Sequence, residues 1–143
     1  MRTERLPELA TRLRLAVGRL HRRLRQEGGS PIGASSFSAL ASIERVGRVR
    51  LGELAEIEGV KPPTMSGIAA ALEEAGLITR EVGECDRRQV RVSTTAAGRA
   101  LLEQARTRKT AFLASRLKRL SPSELDLLDQ AVALLERMRE DDR

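Results

Sequence analysis

The apolar residues near the start of the chain recur at intervals of three and four, the spacing that buries one face of a helix. Between residues 4 and 26 the recurring residues are Leu6, Leu9, Leu13, Val17, Leu20 and Leu24. Arginines fill most of the other positions, and two glycines and Pro31 follow. Because glycine favours a helix C-terminus and proline cannot continue a helix, the pattern predicts one long amphipathic helix.

A second, shorter helical pattern follows the proline. Ser35 or Ser36 is a candidate N-cap, and the helix is expected to run to about Arg45. Its predicted buried side consists of Phe37, Leu40, Ala41 and Ile43.

Residues 51–58 and 62–75 are two further helical segments joined by a tight turn. Gly59 supplies the positive φ that a sharp turn needs, and Ala55 is small enough to let the two helices cross closely. A proline in the first turn of the second helix costs no hydrogen bond. The pattern predicts a helix-turn-helix whose second helix turns Met65, Ile68, Ala69 and Leu72 inward.

Short alternating segments follow the helix-turn-helix. Residues 77–82 and 90–94 are rich in β-branched residues, which is typical of strands. They flank the charged residues 83–89, which begin with a glycine, so the pattern predicts a β-hairpin wing. Residues 48–50 are long enough for one edge strand beside it.

Two helices complete the predicted fold. Thr94 or Thr95 is a candidate N-cap for the fifth. Ser121 and Glu124 form a capping box with proline at the first helical position, a strong start signal for the sixth. Apolar residues cover more of the sixth helix than a peripheral helix needs. The predicted fold class is mainly α, with six helices and a small β-hairpin wing.

Composition narrows the class of protein. A chain of 143 residues is usually one domain. The single cysteine excludes an intrachain disulfide, and no apolar run is long enough to span a membrane. The N-terminal residues lack the apolar core of a secretion signal, so we expect a cytoplasmic protein. The two aromatic residues, Phe37 and Phe112, are expected in the core.

The net charge of +6 suggests an acidic partner, of which nucleic acid is the commonest. Residues 1–26 carry eight Arg against two Glu, and residues 104–119 carry six basic residues and no acid. Residues 51–79, however, carry five Glu against Lys61 alone. Net charge therefore does not locate a nucleic-acid surface, and the basic segments could equally be solvated helix faces.

Three stretches together carry a resemblance to a known family. They are LGELAEIEGV, KPPTMSGIAAALEEAGLI and DRRQVRVSTTAAG, which begin at residues 51, 61 and 86. Their order and spacing resemble the MarR family of winged-helix transcriptional regulators. The last stretch is similar to the family's wing signature, Asp-x-Arg followed by a strand and a Thr-x-x-Gly helix start. The chain differs from the family pattern at Gly67, where a polar side chain is common, and at Glu58, where an apolar one is common.

The resemblance implies a homodimer. Residues 1–34 and 95–143 would form a helical dimerisation body, and residues 35–94 a winged helix-turn-helix lobe. The excess apolar surface on the terminal helices agrees with this. No cofactor and no metal are implied.

The resemblance also implies contacts with double-stranded DNA, with the second helix of the motif in the major groove and the wing in the minor groove. Lys61 would contact a phosphate, and Pro63 could touch a thymine methyl. Thr64 and Ser66 could hydrogen-bond base edges, or could merely cap the helix. The free backbone N–H groups of the first turn would point at phosphates.

At the wing, Arg88 matches the second position of the family signature after its Asp. By resemblance it would reach the minor groove, where narrow A·T-rich tracts concentrate negative potential. Asp86 would hold this arginine by a salt bridge. Arg87, Arg80 and Arg50 are further candidates for phosphate contacts. Arg87 and Arg88 could instead be solvated loop charges.

The implied function is that of a dimeric, sequence-specific regulator, usually a repressor in this family, that reads a palindromic operator. Many members release DNA when a small phenolic or carboxylate ligand binds between the body and the lobe, so a small-molecule effector is a candidate partner. No membrane partner is expected.

Other classes of function stay open. The acidic balance of residues 51–79 would suit a winged-helix protein–protein interaction module with weak or no DNA binding. The salt dependence of binding distinguishes a DNA-binding regulator from a protein-interaction module. DNA binding weakens steeply as the salt concentration rises, because it releases counterions from the DNA. An enzyme is not expected, since candidates for acid, base and nucleophile do not cluster.

Cys85 and His21 are each the only residue of their kind. An exposed cysteine at the wing tip suggests a redox sensor, but Glu84 and Asp86 offset the arginines that would activate it. Peroxide-sensing members of the family carry their reactive cysteine near the first helix, and that segment here has none. His21 is expected on the surface or between helices, because a metal site needs three or four ligands.

Overall fold

The computed structural model describes residues 5–140. The outermost parts of the predicted dimerisation body, residues 1–4 and 141–143, lie outside the described residues. The described chain forms six helices and a three-stranded sheet, which confirms the predicted fold class. In chain order they are α1 (Arg5–Gly28), α2 (Ala34–Val46), β1 (Val49–Arg50), α3 (Leu51–Glu58), α4 (Pro62–Glu74), β2 (Ile78–Val82), β3 (Val90–Thr94), α5 (Ala96–Leu117) and α6 (Pro122–Glu140).

The start of α2 differs from the prediction. The helix begins at Ala34 and its N-cap is Gly33, so the assignment of Ser35 or Ser36 as the cap is wrong. The Phe37 N–H donates to the Gly33 carbonyl at 2.9 Å, and this bond closes the first turn ahead of both serines. Glycine is an acceptable N-cap without a side-chain hydrogen bond.

The core lies where α2, α3 and α4 meet the sheet. Its largest fully buried side chains are Leu40, Ile43, Leu54, Met65, Leu72, Val49 and Val92. Four of them, Leu40, Ile43, Met65 and Leu72, were predicted to face inward. They do so because the 3.6-residue period puts them on one side of each helix. This core joins the helix-turn-helix to the wing as one body.

The sheet is antiparallel with strand order β1-β3-β2. The predicted edge strand forms as β1, in which Val49 pairs with Val92 of β3. Alternation turns Val92 toward the helices, whereas Arg50 and Arg91, which lie opposite each other, share the outer face.

A tight junction joins α4, β2 and the start of α5. Gly76 adopts φ 73°, and the Leu77 N–H donates back to the Leu72 carbonyl at 2.9 Å. Thr95 caps α5 by accepting from the Gly98 N–H at 3.1 Å, and its hydroxyl donates to the Gly76 carbonyl at 2.7 Å. A Cβ on Gly98 would collide with the Leu77 carbonyl, so this position requires glycine.

The end of α1 is held by α5. The Arg108 side chain donates to the Gly28 carbonyl at 2.5 Å and to the Gly29 carbonyl at 2.9 Å. A cation at these positions satisfies free carbonyls and complements the negative end of the helix dipole. The contact fixes the C-terminus of α1 beside α5.

The last helix begins with the predicted capping box. The Ser121 N–H donates to the Glu124 carboxylate at 2.8 Å, and the Glu124 N–H donates to the Ser121 hydroxyl at 3.2 Å. From Pro122 to Arg139 no residue of α6 is buried, and Leu127 is 68% exposed. None of the helices between residues 5 and 140 has the length and apolarity needed to cross a membrane.

Candidate nucleic-acid interface

The turn between α3 and α4 has the geometry of a helix-turn-helix. Gly59 adopts φ 65° and ψ 32°, the left-handed conformation predicted for it. The Val60 N–H donates to the Ala55 carbonyl at 3.0 Å and reverses the chain. Ala55 and Met65 are buried at the crossing, so the small side chain allows close packing as expected.

The N-terminal half of α4 presents a row of small exposed side chains. Its N-cap, Lys61, has no side-chain capping bond, and Pro63, Thr64 and Ser66 are all exposed. Among the side-chain hydrogen bonds described for residues 5–140, none comes from Thr64 or Ser66. The helix is therefore not capped by these hydroxyls, and both remain available to an outside partner.

Two prolines limit what the backbone of this helix can donate. Pro62 and Pro63 occupy the first two helical positions, and neither has an N–H. Thr64 supplies the only backbone N–H of the first three helical positions. The expectation of several free N–H groups directed at phosphates is thus wrong for this helix, and the Lys61 and hydroxyl side chains carry more of the polar surface.

The wing tip orients Arg88. Asp86 Oδ1 accepts from the Arg88 backbone N–H at 3.0 Å and from Arg88 Nε at 3.3 Å. Gly83 closes the base of the loop by donating to the Gln89 carbonyl at 2.8 Å, and a Cβ on Gly83 would lie 2.7 Å from the Asp86 carbonyl oxygen. The predicted ion pair between Asp86 and Arg88 is present, and the side chain of Arg88 is 94% exposed.

The remaining arginine candidates lie in different settings. Arg87 is exposed at the wing tip. Arg80 lies 3.5 Å from Glu73 of α4, so part of its charge is already balanced within the lobe. Arg50 is exposed on the outer face of the sheet. The structure brings Lys61, Pro63, Thr64 and Ser66 together at the N-terminal end of α4, and Asp86, Arg87 and Arg88 together at the wing.

A cavity of about 680 Å³ lies where α1, α2 and α5 meet. Its apolar wall includes Phe37 and Ala41, and its rim includes Arg22, Arg25 and Lys109. The Lys109 ammonium lies 4.9 Å from the centre of the Phe37 ring, a cation–π distance. Among residues 5–139, none of those that line the cavity is acidic, so the cavity favours an anion.

The sequence did not reveal this cavity. Phe37 was expected in the core, and it does pack against the core while also forming the cavity wall. His21, expected on the surface or between helices, is exposed on α1 and contributes to the rim of the cavity. Phe112 is only partly buried and does not belong to the core cluster, so its assignment to the core is wrong. The guanidinium groups of Arg23 and Arg116 lie 5.3 and 5.0 Å from the centre of its ring.

Known proteins resemble this chain in sequence and in structure. A model of the MarR family matches residues 32–90. The uncharacterized HTH-type transcriptional regulator Mb0904 of Mycobacterium bovis is 40% identical over 128 residues, which are 89% of this chain and 90% of that protein.

Solved structures share the whole fold. A transcriptional regulator protein from Pseudomonas aeruginosa PA01 superposes with a TM-score of 0.84 at 32% identity, covering 95% of this chain and 97% of that one. A mutant of MepR from S. aureus, bound to an oligodeoxyribonucleotide, superposes with a TM-score of 0.69 at 20% identity, covering 94% and 98%. The chain belongs to the MarR family of winged helix-turn-helix, DNA-binding transcriptional regulators.

Proposed function

We propose that this regulator acts as a homodimeric repressor that reads a palindromic operator and is released by a small anionic or phenolic ligand. The observation that carries the DNA-reading part is the wing tip, where Asp86 pairs with Arg88 and leaves its side chain exposed. The MepR mutant with this fold is bound to an oligodeoxyribonucleotide, which supports DNA as the partner.

The dimer would form through residues 1–34 and 95–143, leaving residues 35–94 as the DNA-binding lobe. Large apolar side chains on the described parts of α1 and α6 support this, because water-exposed leucines at helical spacing are typical of an interface. The exposed ones are Leu6, Leu9, Leu15, Val17, Leu20, Leu125, Leu127, Leu128, Val132, Leu134, Leu135 and Met138. A second copy would bury them.

Each recognition helix, residues 62–75, would lie in the major groove of one half-site. Thr64 and Ser66 would donate to base edges, Pro63 would contact a thymine methyl and Lys61 would bind a phosphate. Small side chains let the helix approach closely. Two-fold symmetry would place the helices one turn of DNA apart, about 34 Å, and so select a palindrome.

The wing, residues 83–89, would enter the adjacent minor groove. Arg88 would insert where the groove is narrow, with Asp86 holding its direction. Arg87 and Arg50 would contact phosphates. Arg80 would do so as well, although Glu73 balances part of its charge.

The effector would occupy the cavity between the body and the lobe. Its cationic rim suits a carboxylate or phenolate, and the Phe37 ring suits an aromatic ring. A ligand there would contact α1 and α5 on one side and α2 on the other, and would therefore be sensitive to the angle between body and lobe. Repression would follow because a dimer on its operator occupies two turns of promoter DNA.

Selection of duplexes from a random library by the purified protein tests the proposal. We expect a palindromic sequence for which the logarithm of the affinity falls linearly with the logarithm of the salt concentration. Recovery of no sequence, with weak and salt-insensitive binding, would favour the protein–protein interaction module instead.

A further inference from the structure

Glu58 is the last residue of α3 and lies directly before the turn at Gly59. Its carboxylate does not point into solvent but reaches across to α2. Oε2 accepts from the Ser38 hydroxyl at 2.8 Å, and Oε1 accepts from the Ser42 hydroxyl. We call these two hydrogen bonds the Glu58 bridge.

The Glu58 bridge stabilises a carboxylate at the C-terminal end of a helix, where a negative charge is unfavourable. The C-terminal end of a helix carries a partial negative charge, and α3 has no basic residue in its last turn. No Lys, Arg or His side chain between residues 5 and 139 lies within salt-bridge distance of Glu58. Hydrogen bonds to an ionised group are stronger than neutral ones, so the two hydroxyls compensate for the missing cation.

The two serines are equivalent in the bridge but differ in their surroundings. They lie one turn apart on the same face of α2, and each donates to one oxygen of the same carboxylate. Ser42 is 8% exposed and lies away from the cavity, whereas Ser38 is exposed and lines it. One half of the bridge is therefore within reach of anything that binds in the cavity.

A serine hydroxyl has a single hydrogen to donate. If Ser38 donates to the carboxylate of a bound ligand, it cannot donate to Glu58 at the same time. An anionic ligand would also repel the Glu58 carboxylate. A ligand that accepts the Ser38 hydrogen bond therefore breaks one half of the Glu58 bridge.

We propose that Glu58 is a positioning residue that fixes the helix-turn-helix against α2 in its DNA-reading orientation, and that an aromatic carboxylate in the cavity releases it by taking the Ser38 hydrogen bond. The second half of this inference rests on the proposed effector function. The first half does not.

The positioning role is tested without any ligand by comparing Glu58→Gln with Glu58→Leu. Glutamine loses the charge but still pairs with both hydroxyls, accepting through its oxygen and donating through its nitrogen, whereas leucine can do neither. On the selected operator we expect Glu58→Gln to bind within twofold of the wild type and Glu58→Leu to bind at least fivefold more weakly. On a scrambled duplex we expect the two variants to have the same affinity.

Equal tightening of operator binding in both variants would overturn the positioning role, because it would mean that Glu58 acts only by repelling phosphates. Thermal unfolding checks that each variant is folded. If Glu58→Leu does not fold, the double variant Ser38→Ala, Ser42→Ala removes the same two hydrogen bonds and gives the same test.

The release step is tested with salicylate, measured both by calorimetry and by its effect on operator affinity at saturation. Ser38→Ala and Ser42→Ala are a matched pair, since each removes one half of the bridge but only Ser38 lines the cavity. We expect saturating salicylate to weaken operator binding at least fivefold in the wild type and in Ser42→Ala, and less than twofold in Ser38→Ala.

Two failures are distinguishable. A wild type that does not respond to salicylate overturns the effector proposal and the release step together, and the Glu58→Leu comparison still decides the positioning role. A wild type that responds, with Ser38→Ala and Ser42→Ala responding equally, overturns the release step alone.

Discussion

Asp86 and Arg88 are joined twice at the tip of the wing. Asp86 Oδ1 accepts from the backbone N–H of Arg88 at 3.0 Å and from its Nε at 3.3 Å. The side chain of Arg88 is otherwise almost fully exposed. A long exposed side chain normally samples many rotamers, so this pairing reduces the entropy that the arginine would lose on entering a groove.

Replacement of Arg88 by alanine should weaken operator binding by about 1–3 kcal/mol, because it removes the group that enters the minor groove. Fluorescence anisotropy with the selected duplex measures this. Glu84→Gln is the matched control, since it changes a wing charge that has no contact with Arg88 and should leave binding unchanged or slightly tighter. If Arg88→Ala binds the operator as tightly as the wild type does, the wing is not part of the DNA interface.

Thr64→Val should relax discrimination at one base pair by about 1–3 kcal/mol, because valine keeps the shape and loses the hydroxyl. The measurement compares duplexes that differ at single positions of the half-site. Thr79→Val makes the same change on β2, where the hydroxyl pairs with Ser93 at 3.0 Å, and should leave the base preference unaltered. An unaltered preference in Thr64→Val would mean that its hydroxyl reads no base.

Lys61→Ala should weaken binding to all duplexes alike and reduce the slope of log affinity against log salt by about 1, as expected for one lost phosphate contact. Titrations at four salt concentrations measure the slope. If the variant loses affinity only for the operator, Lys61 contacts a base instead of a phosphate.

Gly98→Ala should lower the free energy of unfolding by about 1–3 kcal/mol, because the new methyl group overpacks the junction between α5 and the Leu77 carbonyl. Thermal or urea unfolding measures this. Gly18→Ala, where a Cβ meets nothing within 4 Å, is the control and should stabilise α1 by about 0.4–1 kcal/mol. Equal effects at the two positions would contradict the close approach at Gly98.

Leu135→Glu on α6 should dissociate the dimer, because it places a charge within the apolar surface that a second copy would cover. Sedimentation velocity should show a folded protomer, since Leu135 is not buried in the protomer itself. Ala133→Glu, on the polar side of the same helix, should remain dimeric. If Leu135→Glu still sediments as a dimer, this face of α6 is not part of the dimer interface.

Features set by neighbouring residues were predictable from the sequence. The capping box of Ser121 and Glu124 forms because its partners are three residues apart, and the turn at Gly59 forms because one residue must adopt a positive φ. Prediction from neighbouring residues also put the start of α2 in the wrong place. The serines there satisfy a common preference, but the preceding glycine already closes the first turn.

Features that depend on distant residues were not predictable. Glu58 meets its two hydroxyls across 20 and 16 residues, and Arg108 reaches the end of α1 across 80. The requirement for glycine at position 98 comes from the close approach of the Leu77 carbonyl, which lies 21 residues earlier in the chain. The cavity arises from three helices whose packing no local pattern encodes.

The central claim is that two copies of this chain bind one operator together. Sedimentation of the protein with its selected duplex, repeated over a range of salt concentrations, tests it most directly. We expect two chains per duplex and a linear fall of log affinity with log salt, with a slope near −0.9 per phosphate contacted. A single protomer that shows no preference for any duplex at modest ionic strength would contradict the account.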